Sequence, residues 1–210
     1  MIHSDMIAKI CAAAPVIPVL TVDRVEDAQP LARALIAGGL PALEITLRTD
    51  VALEVIAAIA EVEGAMVGVG TLLTPAQVQD AKAAGAIFGV SPGATPSLIA
   101  AGLEFDLPLL PGAATATEAM RLLEQGFTFQ KFFPAEAAGG ALALGSMAGP
   151  LPQITFCPTG GVTPENAKTY LALPNTLCVG GSWIAPKALV VAGAWDEIIQ
   201  IARRAAGLLR

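Results

Sequence analysis

Lys131 has surroundings in which a lysine can do chemistry. The chain holds five lysines, and Lys131 alone lies inside a strand-like run, Phe129-Gln130-Lys131-Phe132-Phe133. Side chains alternate along a strand, so Phe129, Lys131 and Phe133 share one face. Burial among apolar groups disfavours an ammonium ion, and a neutral amine is what Schiff-base formation with a ketone requires. The same placement suits a structural ion pair or a lysine reaching to a rim, and the pattern leaves these open. Glu44 is the matching acid. Ala42, Glu44 and Thr46 share a face of the run Ala42–Thr46. A carboxylate turned toward a core is costly unless it is paired or at work. Its work would be proton shuttling, to a carbinolamine and between an enamine carbon and solvent. The alternative is a salt bridge, with Lys131 itself as the partner. Both readings put the two residues side by side.

Other candidates cluster where apolar runs end. Arg48 follows the run that carries Glu44. A guanidinium suits bidentate recognition of a carboxylate, and Thr71 could add a hydroxyl from the next run; an exposed loop arginine is the plainer reading. Gly160-Gly161 and Gly180-Gly181-Ser182 follow the last two apolar runs. In α/β barrels these two loops often bind phosphate through backbone N–H groups. One Gly-Gly pair is a weak signal, but two at the expected loops carry more weight. The only histidine is His3, and no Asp/Glu/His cluster has metal-ligand spacing. This argues against a metal-dependent aldolase and against Ser–His catalysis.

Positioning these residues requires a regular scaffold. Apolar β-type runs occur at Val16–Thr21, Ala42–Thr46, Met66–Gly70, Ile87–Val90, Leu109–Leu110, Phe129–Phe133, Ile154–Cys157 and Thr176–Gly180. Helical spacing lies between them, at Val25–Ala37, Val51–Val62, Pro75–Ala84, Pro96–Ala101, Thr117–Glu124, Ala141–Met147 and Pro164–Leu171. Such alternation marks βαβ units and a parallel sheet. Eight strands in 210 residues predict an α/β fold, a (β/α)8 TIM barrel, as a single domain over residues 1–210. The first dozen residues are expected to form an extra helix that plugs the barrel's N-terminal end. Thr74-Pro75, Thr95-Pro96 and Thr163-Pro164 each place a capping hydroxyl before Pro at a first helical position.

Composition narrows the function classes. The chain is 54% hydrophobic and only 14% charged, which excludes a disordered protein. A net charge of −6 argues against a nucleic-acid surface but not against a small anion held by backbone N–H groups and one arginine. No secretory signal is read in residues 1–14, which carry Asp5 and Lys9. No apolar stretch reaches the ~18 residues of a membrane span. Cys157 and Cys178 lie in apolar runs and read as buried, reduced thiols, so a cytoplasmic location is expected.

From about Pro15 to Pro186 the sequence resembles the 2-keto-3-deoxy-6-phosphogluconate (KDPG) and 4-hydroxy-2-oxoglutarate (KHG) aldolase family. The resemblance rests on Leu43-Glu44-Ile45-Thr46-Leu47-Arg48-Thr49, Gly68-Val69-Gly70-Thr71, Ser91-Pro92-Gly93, Lys131-Phe132-Phe133-Pro134-Ala135-Glu136, Phe156-Cys157-Pro158-Thr159-Gly160-Gly161 and Gly180-Gly181-Ser182-Trp183. It implies a homotrimeric barrel that cleaves KDPG to pyruvate and glyceraldehyde 3-phosphate with no cofactor or metal. By position it makes Lys131 the Schiff-base lysine and Glu44 the acid/base. Arg48 and Thr71 become the binders of the pyruvate carboxylate. Pro92 and Phe133 line the substrate site, Thr159 lines it and bears on stereochemistry, and Gly160, Gly161, Gly181 and Ser182 form the phosphate pocket. Related enzymes for the galactonate epimer tend to lack Pro-Thr-Gly-Gly, so Thr159 favours the gluconate substrate. Cleavage of unphosphorylated 4-hydroxy-2-oxoglutarate is expected as a secondary reaction. One departure from the family is the apolar character of Val51–Val62 and Ala141–Met147. Exposed, such helices would be association surfaces, which raises the alternative of a trimer that builds a larger assembly.

Overall fold

The structure is a computed structural model describing residues 2–208; the side chain of His3 lies outside what it describes. Its strands are β1 (Val16–Leu20), β2 (Ala42–Thr46), β3 (Met66–Gly70), β4 (Phe88–Val90), β5 (Leu109–Leu110), β6 (Gly112–Ala113), β7 (Phe129–Phe132), β8 (Thr155–Pro158) and β9 (Val179–Gly181). All ladders are parallel. A six-stranded sheet runs β5-β4-β3-β2-β1-β9, and a three-stranded sheet runs β6-β7-β8. Helix α1 (Ile2–Ala13) touches β2, β5 and β7, so the parallel strands must curl around it, and the long sheet forms a half-barrel. The fifth expected strand, Leu109–Leu110, is β5 as read, and a further short strand, β6, follows it unanticipated. Pro111 has no N–H to donate to a ladder, and the pairing breaks there.

Alternation sorts the side chains into two cores. Leu43, Ile45, Val67, Val69, Phe132 and Phe156 face outward and pack under the surrounding helices. Ile17, Ala42, Phe88, Val90, Leu110 and Cys157 face inward and meet Ile7, Ile10 and Cys11 of α1. Gly68 makes room here: the Phe88 ring occupies the space a Cβ would need. All three cysteines are buried and unoxidised in this inner layer. Hydrogen bonds to Cys11 and Cys157, together with burial, push the Cys178 thiol well above its usual range.

The helices that follow are α2 (Ala28–Ala37), α3 (Ala52–Ala60), α4 (Pro75–Ala83), α5 (Pro96–Glu104), α6 (Ala116–Glu124), α7 (Gly140–Ser146), α8 (Ala167–Leu171), α9 (Lys187–Val191) and α10 (Trp195–Ala206). Thr74 and Thr95 cap α4 and α5 through the N–H groups of Gln77 and Leu98, as their Thr-Pro pairs predict. Thr163 does not cap α8 in this way. Its hydroxyl accepts from Asn166 N at 3.4 Å while Asn166 Oδ1 accepts from Thr163 N at 2.8 Å, closing a turn before the helix begins. Two C-terminal helices, α9 and α10, were not anticipated.

The expectation of an apolar exposed face on Val51–Val62 is overturned. Val55, Ile56, Ile59 and Val62 are all buried, and Glu54, Ala57, Ala60 and Glu61 face outward. In Ala141–Met147, by contrast, Leu142 stands 85% exposed.

An unanticipated capping box opens α6. Thr115 Oγ1 accepts from Glu118 N, and the Glu118 carboxylate accepts from Ala114 N and Thr115 N, each at 2.9 Å. The bond from Ala114 leads in holding the Glu118 carboxyl below its usual range. A depressed folded value gives stability that is present above the ordinary glutamate range and lost as pH falls through the folded value. Glu118→Ala is therefore expected to cost about 1 kcal/mol in urea unfolding at neutral pH, and the difference from the parent chain should shrink in acid.

Candidate functional site

Lys131 and Glu44 meet, 87 residues apart in sequence, with Nζ donating to Oε1 at 3.3 Å. They are 5% and 3% exposed, so neither charge is relieved by bulk water. The strands put them there. Glu44 sits mid-β2 in register with Gly68 of β3, and Lys131 sits on β7 between Gly112 of β6 and Cys157 of β8. Lys131 Nζ also lies 5.3 Å from the centroid of the Phe133 ring, which is within cation–π reach.

The carboxylate occupies space that only glycine leaves. A Cβ on Gly70 would overlap Glu44 Oε1 and lie 2.7 Å from its Cγ. Gly70→Ala is therefore expected to destabilise the fold by about 1–3 kcal/mol through overpacking. In a double-mutant cycle read by urea unfolding, the cost of Gly70→Ala should be smaller in a Glu44→Ala background. Next in sequence, Thr71 is a β-branched residue held at φ 64°. Such a conformation costs of order 1–3 kcal/mol and persists only where surroundings impose it. Thr46, on the Glu44 face, donates to Leu20 O and shares a hydrogen bond with Thr21, both at 2.9 Å.

A cavity of about 90 Å³ opens between the loops that end β2, β7, β8 and β9. Arg48, Phe133, Thr159, Gly160, Gly161 and Ser182 line it, which brings six of the expected site residues together. Phe133 joins this cavity to the buried pair. The Arg48 side chain is exposed and has no carboxylate partner among the described residues. Gly160 and Gly161 take φ of 98° and 79°, a region that favours glycine.

Thr159 is 7% exposed and pairs with Gly180 by an isolated bridge. Gly181 does not line the cavity. It is buried under the Trp183 ring, which fills the space of a Cβ. Pro92 lines a second cavity of about 270 Å³ on the far side of Phe133, bounded also by Arg121 and Gln125. Thr71 lines neither cavity.

Val19, Val162 and Gly180 complete the smaller cavity, and the two valines were missed from sequence. Val19 could have been found, because it precedes Leu20 on β1 in register with Glu44. Also missed was Tyr170, whose phenol donates to the Glu136 carboxylate behind the glycine loop. Among the described residues, no group of three or more His, Cys, Asp or Glu is arranged to hold a metal ion.

The KDPG and KHG aldolase family model matches residues 7–201. A 2-dehydro-3-deoxy-phosphogluconate aldolase of Pseudoalteromonas atlantica is 51% identical over 192 residues, covering 91% of this chain and 89% of its own. Among solved structures, the KDPG aldolase of Legionella pneumophila, with pyruvate captured at low pH as a covalent carbinolamine intermediate, superposes with a TM-score of 0.91 at 45% identity. That match covers 94% of this chain and 97% of its own. The 2-keto-3-deoxy-6-phosphogluconate aldolase of Zymomonas mobilis ZM4, solved with 3-phosphoglycerate, gives 0.93 at 45% identity over 99% of this chain and 98% of its own. With a family match spanning nearly the whole chain and relatives this similar, the chain belongs to the KDPG and KHG aldolase family.

Proposed function

We infer that this chain is a class I aldolase that reversibly cleaves KDPG to pyruvate and D-glyceraldehyde 3-phosphate through a Schiff base on Lys131. The observation that carries the reading is the buried Lys131–Glu44 pair, 3.3 Å apart beside a cavity lined by Arg48 and by Gly160 and Gly161. Lys131 passes a proton to Glu44 across the 3.3 Å contact and its amine attacks the C2 ketone; Glu44 then gives that proton to the carbinolamine hydroxyl, which leaves as water. Glu44, now a carboxylate, takes the C4 hydroxyl proton, and the C3–C4 bond breaks. Its electron pair moves into the iminium, giving the enamine of pyruvate and a free aldehyde. Glu44 returns a proton to the enamine carbon, and water releases pyruvate from the lysine.

The remaining residues bind and orient. Arg48 and Thr71 hold the carboxylate, with Pro92 and Phe133 as walls and Thr159 beside the reacting carbons. Gly160, Gly161 and Ser182 receive the phosphate, and Gly181 serves by its backbone, seated under Trp183. Unphosphorylated 4-hydroxy-2-oxoglutarate, named in the family description, is read as a secondary substrate. We also read the two sheets as one closed (β/α)8 TIM barrel, a single domain over 1–210 plugged by α1. The bridges Phe156–Thr176 and Thr159–Gly180 and the bond from Lys131 N to Pro111 O at 2.9 Å support closure. A homotrimer in the cytoplasm is the assembly proposed; no described helix is long and apolar enough to cross a membrane. Of the two apolar stretches read as association surfaces, only Ala141–Met147, through Leu142, offers a large exposed apolar side chain to a larger assembly.

A coupled assay for pyruvate release tests the function. KDPG should be cleaved fastest, ahead of its galactonate epimer and of 4-hydroxy-2-oxoglutarate. Release from none of the three would end this reading.

A further inference from the structure

The loop after β7 is tied to the loop after β8 by two consecutive backbone bonds. Ala135 N donates to Thr159 O at 2.8 Å, and Glu136 N donates to Gly160 O at 3.0 Å. In a trans peptide the C=O and the following N–H point to opposite sides. Tying these two carbonyls back therefore turns the N–H groups of Gly160 and Gly161 the other way. Gly160 and Gly161 line the cavity, and Ala135 and Glu136 do not.

Glu136 is itself held in place. Its Cβ and Cγ fill the space above Gly161, where an added Cβ would lie 2.7 Å from each. Its carboxylate accepts the hydrogen bond of Tyr170, which is 1% exposed. Gly140 flanks the pair: a Cβ there would stand at ordinary contact distance, 3.5 Å from Glu136 Oε1 and 3.7 Å from the phenol oxygen. Burial, then the bond to Glu136, pushes the Tyr170 phenol far above its usual range, so it remains a donor at working pH. Tyr170 lines neither cavity, and the aldol steps above do not use it.

We propose that Tyr170, acting through Glu136, is a positioning residue that aims the N–H donors of Gly160 and Gly161 at the substrate phosphate. It thereby sets how strongly phosphorylated substrates are preferred. The proposal rests on the reading that this loop receives the phosphate.

The test compares two reactions of the intact enzyme. KDPG cleavage needs the phosphate site, whereas exchange of pyruvate's methyl protons in heavy water uses Lys131 and Glu44 without it. Tyr170→Phe keeps the ring and removes the bond to a charged group, so KM for KDPG should rise about tenfold with kcat nearly unchanged. Pyruvate exchange should stay at the parent rate. Glu136→Ala should behave like Tyr170→Phe, and Glu136→Gln, whose amide oxygen still accepts from the phenol, should recover most of the affinity. Should Tyr170→Phe fail to fold in thermal unfolding, the two Glu136 variants carry the comparison. Equal losses in both reactions, or an unchanged KM, overturn the proposal. Ser182→Ala separates the two levels. If it raises KM for KDPG selectively while Tyr170→Phe does not, only the positioning role falls. If Ser182→Ala also leaves KM unchanged, the phosphate reading falls and takes the positioning role with it.

Discussion

In Lys131→Ala, pyruvate release from KDPG is expected to fall by on the order of 10⁴-fold or more, because no amine remains to form the covalent intermediate. Lys131→Arg should be equally inactive. A guanidinium keeps a positive charge beside Glu44 but stays protonated and cannot attack a ketone. The arginine variant thus separates the two readings that the sequence leaves open. A purely structural ion pair would tolerate the exchange, and a nucleophile cannot. In the parent enzyme, borohydride with pyruvate should reduce the imine to a stable secondary amine, and peptide mapping should find the added mass at Lys131. An unmodified Lys131 peptide, or a label on another lysine, would remove the Schiff base from this residue.

Glu44→Gln should lower turnover by about 10²- to 10⁴-fold, the range typical of a positioned acid/base. Glutamine retains the shape and one accepting oxygen over Gly70, so packing is nearly preserved while the proton carrier is lost. Pyruvate methyl-proton exchange should fall in parallel with cleavage, because the same carboxylate serves the enamine carbon. Turnover within a few-fold of the parent would return Glu44 to a structural role. Glu44→Ala should also cost stability, since removing one member of a buried pair strands the other charge, typically at about 3–5 kcal/mol. Comparing urea unfolding of the Gln and Ala variants therefore separates loss of the proton carrier from loss of the fold.

Lys131 and Glu44 could be paired from sequence because each was separately out of place. A charge on an apolar strand face is costly, and two such charges of opposite sign relieve each other. The strand runs were legible for a related reason: period-two patterning is local, so Ala42–Thr46 and Met66–Gly70 match β2 and β3 residue for residue. Long-range geometry was not legible. Tyr170 sits among polar helical neighbours and looks ordinary until Glu136, 34 residues earlier, is folded against it. Pro111 is a single residue between two apolar pairs, and only the ladder shows that it parts β5 from β6. The apolar stretch at Val51–Val62 misled in the opposite direction. Alanines count as hydrophobic in a sequence, yet here they form the solvent side of α3 while the large residues turn inward. Helix α10 escaped notice because its place against α2, where Ala202 occupies the space above Gly38, depends on the chain having closed on itself.

Cys11 of α1 and the two cysteines beneath that helix have a kinetic consequence. Each is at most 3% exposed, and their thiols face one another rather than solvent. A bulky thiol reagent can reach them only when α1 lifts from the strands or the whole chain opens. Labelling under native conditions therefore acts as a clock on that opening. Its rate follows the population of the open form when reclosing outpaces the reagent, and the opening rate itself when the reagent is in excess. If Cys11 is labelled ahead of Cys157 and Cys178, the helix departs alone; if all three react together, the floor of the molecule and the mouth above it melt as one unit.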